Sequence, residues 1–203
     1  MDLETITIVL AISAALLHGV AYLLYNIQTK LGQSHPNAVS WSIWAFLATL
    51  NAFSYREISG IVAGLQFFIG SAGCILTFLY ALWIGTFERP KPKEWRIFAL
   101  GCLASLVWWV FRSAASANMI ILAAFLISFK PTLDGVRKDP FKEFPRSWVL
   151  WTAAFVLTTI NVIVLIQMGE ARPIGLITPV VLLVCHGTIA FLCRRQRREA
   201  FSE

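Results

Sequence analysis

An all-α protein that threads a membrane several times is the fold class this chain predicts, and three observations predict it. Hydrophobic residues make up 58% of the sequence and charged residues only 14%, where a soluble domain carries about a quarter of its residues charged. Mean hydropathy is +0.70, and the apolar residues collect in runs long enough to cross hydrocarbon, which takes about 20 helical residues and at the short end about 17. The Lys and Arg residues gather on alternate connections between those runs, the pattern that sets orientation during insertion.

Seven spans are expected within a single domain, at 6–28, 40–55, 60–86, 97–111, 115–129, 148–168 and 173–193. Met1-Asp2-Leu3-Glu4 lacks the positive charge that opens a cleavable leader, so the first run reads as a permanent span. The second opens on Ser40-Trp41-Ser42-Ile43-Trp44, whose two indoles share a helix face near the boundary, where an aromatic belt usually sits. The fourth and fifth spans are kept apart although only Phe111-Arg112-Ser113-Ala114 separates them. A merged helix would hold Arg112 at its centre at a cost of about 2.5–3.5 kcal/mol. The sixth opens on Ser147-Trp148-Val149-Leu150-Trp151, and the seventh carries Thr178-Pro179 near its start. Cys74, Cys102, Cys185 and Cys193 lack metal-ligand spacing and read as small apolar residues rather than a disulfide framework.

With seven spans, Arg56, Arg112 and Arg172 fall on one side and the other fourteen of the 17 Lys and Arg residues fall on the other. The positive-inside rule then places the C-terminus in the cytoplasm and the N-terminus outside. Attraction to an anionic leaflet accounts for the net charge of +6. A nucleic-acid partner is not expected, because no soluble module carries a basic patch interleaved with aromatics.

The chain also repeats itself. The Ser-Trp-x-x-Trp opening recurs 107 residues later, each copy behind a basic connection: Lys30 to Asn37 in the first and Lys130 to Arg146, with Pro131-Thr132-Leu133-Asp134-Gly135, in the second. The three spans of 6–86 therefore match the three of 115–193, and 97–111 is a linker that lets the second triplet enter in the same direction as the first. Residues 194–203 form a basic tail. Parallel repeats of this kind are a known transporter architecture, with the solute held near mid-membrane between the halves.

These residues resemble the PQ-loop repeat superfamily, which includes the SWEET sugar transporters. Pro131-Thr132 stands where that family has Pro-Gln near the cytoplasmic end of a helix, followed by a basic stretch and Ser147 opening the next helix. The first copy has no proline at the matching place near Tyr25-Asn26. The resemblance implies a three-plus-one-plus-three bundle with the N-terminus outside. It does not name the solute.

A carrier for a neutral solute needs polar side chains inside an apolar bundle. Asn51 and Ser54 in the second span correspond through the 107-residue offset to Thr158 and Asn161 in the sixth. With Gln66 and Thr178 they form the expected substrate-binding set. Tyr25, Pro131 and Pro179 are the gating candidates, since a helical proline frees a carbonyl four residues back and permits a bend. His18 and His186 are candidates for proton coupling. Each has a plainer reading, in which amides and imidazoles fasten helices, Pro179 is a static kink and Tyr25 an interfacial anchor.

No Asp, Glu or Lys falls within a span, and no phosphate cradle, nucleophile triad or metal motif appears, so neither enzymatic activity nor a cofactor or metal is expected. Asp134, Asp139, Glu143 and His35 would be the only reagents of a membrane-embedded lipid-modifying enzyme and read instead as solvated loop charges. The expected function is alternating-access transport of a small neutral solute, sugar-like or vitamin-like. A non-transporting scaffold or accessory subunit is the rival. Membrane lipids are expected partners, and a homo-oligomer is compatible with the sequence.

Overall fold

The apolar runs form helices, and the computed structural model describes residues 2–36, 38–85, 89–139 and 141–200, with the side chains of 196–200 left aside. Six helical runs are long and apolar enough to cross a membrane. They are α1 (Leu3–Lys30), α2 (Ala38–Trp83), α3 (Pro92–Phe111), α4 (Ala114–Lys138), α5 (Pro145–Gln167) and α6 (Ile177–Ala200), the last entered through a single 3-10 turn at Pro173–Leu176. No strand occurs among the described residues. This is the architecture of an integral membrane protein.

Local chemistry sets the ends. Asp2 Oδ1 accepts the Thr5 amide at 2.7 Å to start α1, and Glu94 Oε2 accepts the Lys91 amide at 2.6 Å to close a capping box at α3. Pro92 and Pro145 open α3 and α5, where a missing N–H costs nothing. The break expected around Arg112 is present, with Arg112 in left-handed conformation at φ 50° and Ser113 capping α4.

The 46-residue run α2 is not straight. Gly60 has φ 81° and ψ 173°, a region open essentially to glycine alone. Thr49 Oγ1 and Ser71 Oγ lie 2.6 Å apart across the bend, whereas a straight helix would separate them by about 33 Å. Phe53 and Phe68 likewise pack edge to face at 5.3 Å. α2 is therefore two arms, 38–59 and 61–83, folded back on one another at Gly60. The expected boundary between the second and third spans falls at this bend. The helix carries on through Arg56-Glu57-Ile58-Ser59 to reach it, and Thr86, the expected end of the third span, lies outside the described residues.

Two further expectations are corrected. Residues 130–135 were expected as a connection, yet α4 runs on to Lys138 with Pro131 inside it. A proline forfeits one backbone bond, and the ion pair of Lys130 with Asp134 at 2.7 Å spans the same turn. The basic tail from 194 continues α6 to Ala200 rather than leaving it, with 201–203 outside the described residues.

In the bundle, α1 packs on α5 and α2, α5 on α6, and α4 on α2, α3 and α6. Hydrogen bonds fasten α1 to the second arm of α2, through Asn26 Nδ2 donating to Thr77 Oγ1 at 3.0 Å and Tyr22 Oη beside Cys74 Sγ at 3.0 Å. A Cβ at Gly73 would collide with the Tyr22 ring, so that close approach depends on the glycine. At the far end of α1, Ser147 Oγ donates to Gln28 Oε1 at 2.9 Å and ties α5 to it.

Candidate functional site

Described residues of three connections, His35 and Pro36, Gly85 and Lys91, and Lys142, meet at one end of the bundle, called here the basic end. His35, Gly85, Lys91, Glu94 and Lys142 together line a vestibule there of about 620 Å³. A second void of about 120 Å³ shares His35, Pro36, Ser40, Trp44, Ser128, Pro131 and Lys142 with the vestibule, and adds Tyr25, Trp41, Glu143 and Trp148. A third, of about 50 Å³, lies deeper and shares Trp41 and Trp44 with the second. Vestibule, neck and chamber thus succeed one another along the bundle.

Aromatic side chains build the chamber. His18 and Tyr22 come from α1, Trp41, Trp44 and Phe67 from the two arms of α2, Phe125 and Phe129 from α4, Trp151 and Phe155 from α5, and His186 from α6. Phe155 stands between the two imidazoles, with ring centroids 5.2 Å from His18 and 4.9 Å from His186. Trp151 packs on Tyr22 at 5.0 Å, while its Nε1 is buried without a hydrogen-bond partner. The Ser-Trp-x-x-Trp residues were expected in an aromatic belt, and that expectation is overturned for three of the four indoles, Trp44 being half-buried. Trp41, Trp148 and Trp151 are 1–4% exposed. The indoles that face outward are Trp83, Trp95 and Trp109.

At the neck sits the one carboxylate that the sequence assigned to solvent and the fold buries. Glu143, 6% exposed, accepts from Tyr25 Oη through Oε1 and from Trp148 Nε1 through Oε2, both at 3.3 Å. Burial pushes its carboxyl up to about 7, against the opposing pull of the Trp148, Tyr25 and Ser34 hydrogen bonds and of the Lys142 charge. The short connection is what brings it inside, since Phe144 must turn back to meet Ser34 Oγ at 3.4 Å.

Beyond the chamber, polar side chains close the opposite end in two groups. In the first, Gln66 Nε2 donates to His18 Nδ1 at 2.8 Å, and Thr158 Oγ1 donates to Gln66 Oε1. In the second, Asn118 Nδ2 donates to Asn51 Oδ1 at 2.8 Å and to Ser54 Oγ at 3.1 Å, while Thr178 Oγ1 donates to Asn118 Oδ1 at 2.6 Å. Past these groups, Tyr55 Oη donates to Gly175 O at 2.8 Å. Position 179 is a proline, so the carbonyl four residues back lacks its helical N–H and is free to take that hydroxyl. Ser59 Oγ lies where a Cβ on residue 175 would be, which seats the glycine directly against α2.

Of the expected binding set, Asn51 lines the chamber, and Ser54, Gln66, Thr158 and Thr178 are bonded to one another or to Asn118 beside it. Asn161 Oδ1 is buried without a partner, and the residue lines none of these three voids. Among the gating candidates Tyr25 and Pro131 line the neck, whereas Pro179 sits in the first turn of α6 and acts through Gly175. Both histidines line the chamber, and His186 Nδ1 donates to Leu182 O at 2.7 Å. Sequence reasoning missed Asn118, and it named Glu143 only as a solvated loop charge. Asn118 met the criterion that singled out Asn51, an amide within an apolar run, whereas no local signal marks Glu143.

The fold and site define a polytopic helical membrane protein with an aromatic chamber open toward one end. No family model, no curated protein and no solved structure matches this chain.

Proposed function

We propose that the protein carries a small neutral solute across the membrane by alternating access, and that this structure is the conformation open toward the basic end. The observation that carries the reading is the succession of vestibule, neck and chamber on one side of the bundle against hydrogen-bonded closure on the other. A chamber of about 50 Å³ is well below the 300–1,000 Å³ of a site that encloses a drug-sized ligand. The solute therefore enters as the wall indoles part. Aromatic walls and the unpartnered Trp151 Nε1 favour a flat, ring-bearing solute with a hydrogen-bond acceptor over a sugar.

The duplication supports the same reading. With α2 counted as two crossings, the spans number seven and divide three, one, three. The two polar groups then draw on corresponding helices. His18, Gln66 and Thr158 lie on the first, third and sixth spans, and Asn118, Thr178 and Asn51 on the fifth, seventh and second. The offsets are 100 for His18 to Asn118, 107 for Asn51 to Thr158 and 112 for Gln66 to Thr178, rising steadily along the chain. Two related halves that zip at one end are what a rocking carrier requires. This arrangement is the reason to place the chain beside the PQ-loop and SWEET-like carriers, with its basic end in the cytoplasm of a plasma or bacterial inner membrane.

The test is uptake and counterflow in proteoliposomes with a panel of neutral ring compounds and sugars. Saturable uptake that Trp41→Ala and Trp151→Ala each reduce supports the proposal. Absence of exchange for every compound, with the protein folded, ends it. A scaffold is the second reading, favoured by the mutual bonding of Ser54, Gln66, Thr158 and Thr178. It predicts that cysteine accessibility at the two ends never alternates.

A further inference from the structure

A fourth void lies between α3 and α4, and meets the vestibule only at Lys93 and Ile97, which line both. It is a groove of about 720 Å³, within the range of ligand-enclosing sites. Its walls change character along its length. Lys93 and Arg96 stand in the first turns of α3, and Lys130 faces them from α4; below them the lining is aliphatic, with Leu100 and Leu103 on one wall and Ile127 on the other. From Lys93 to Leu103 the helix rises about 15 Å, half of a hydrocarbon core of about 30 Å.

We infer that this groove seats one anionic phospholipid of the leaflet on the basic side, its phosphate among Lys93, Arg96 and Lys130 and an acyl chain along Leu100, Leu103 and Ile127. Basic pockets between membrane helices suit such headgroups because each cation near the surface attracts an anionic lipid. A zwitterionic headgroup would bring its ammonium against the same three cations. Asp134 pairs with Lys130 at 2.7 Å, and the three cations still leave an excess of positive charge around the headgroup. A second copy of the chain is a poorer occupant, since two-fold packing through this face would oppose like charges.

The full chain in a neutral detergent is offered phosphatidylglycerol, phosphatidylcholine, diacylglycerol or inorganic phosphate, with bound lipid read by native mass spectrometry and stability by thermal melting. One retained phosphatidylglycerol and a raised melting temperature are expected, with no such effect from the other three. The triple variant K93Q/R96Q/K130Q should weaken retention at least about tenfold, and Leu103→Trp should weaken it with the cations intact. Arg194→Gln with Arg195→Gln, away from the groove, should not. Equal retention of phosphatidylcholine overturns the inference. So does a melting shift reproduced by inorganic phosphate, an equal loss in the Arg194 and Arg195 variant, or a dimer that the triple variant dissociates. The readout needs no transported solute, so it succeeds or fails independently of the carrier proposal.

Discussion

The two ends of this bundle are built from different polar chemistry, and that difference accounts for one being closed and the other open. The closed end holds neutral amides, hydroxyls and an imidazole, each able to donate to or accept from another. Asn118, Asn51, Ser54 and Thr178 satisfy one another, and Tyr55 takes the carbonyl left free by Pro179. The basic end holds Lys91, Lys93 and Lys142 around a void of about 620 Å³. Ammonium groups cannot bond to one another and draw water between them, so that end stays parted. Neutral groups zip because burying them unpaired would cost about 1–3 kcal/mol each.

Glu143 gives the sharpest test of the contrast, because it is the buried charge at the open end. Its carboxyl is raised from 4.5 to about 7, so between those values the folded protein binds more protons than the unfolded chain, and stability falls as pH rises through that window. Glu143→Gln removes the ionising group and should flatten the dependence, leaving the variant more stable than wild type at pH 8 by up to about 3 kcal/mol. Melting temperature against pH measures it. A wild-type slope that survives in the variant would place the titrating group elsewhere.

At the closed end, Asn118→Leu removes the hub of three hydrogen bonds and strands Asn51 and Thr178. A loss of about 2 kcal/mol is expected, along with faster labelling of a cysteine placed at residue 172. Labelling that rises instead at residue 34 would reverse the roles of the two ends. Gly175→Ala drives a methyl into Ser59 Oγ and should destabilise by about 1 kcal/mol, with Ser59→Ala restoring most of it in a double-mutant cycle. Tyr55→Phe removes the bond to Gly175 O. It should cost about 0.6 kcal/mol, the average for interhelical bonds in membranes. A null effect would make that contact a consequence of closure and not a contributor to it.

Much of this molecule is legible in its residues. The apolar runs predict membrane helices because insertion responds to hydropathy summed along a segment, and Arg112 marks a break because a cation cannot sit mid-membrane cheaply. Asn51, Gln66 and Thr158 stood out as polar residues within apolar runs, and all three are buried. The bend at Gly60 was approximately placed. What they bond to was not legible, and neither was the inward turn of Trp41, Trp148 and Trp151 or the burial of Glu143.

The reason lies in the solvent. In water an amphipathic stripe reveals which face of a helix points inward, but lipid tails are as apolar as a protein core, so both faces of a membrane helix carry the same kinds of residue. Sequence therefore determined that these helices exist, where charge accumulates and which polar groups need partners. Their rotation about their own axes, and with it every partner named here, was decided only when the helices packed.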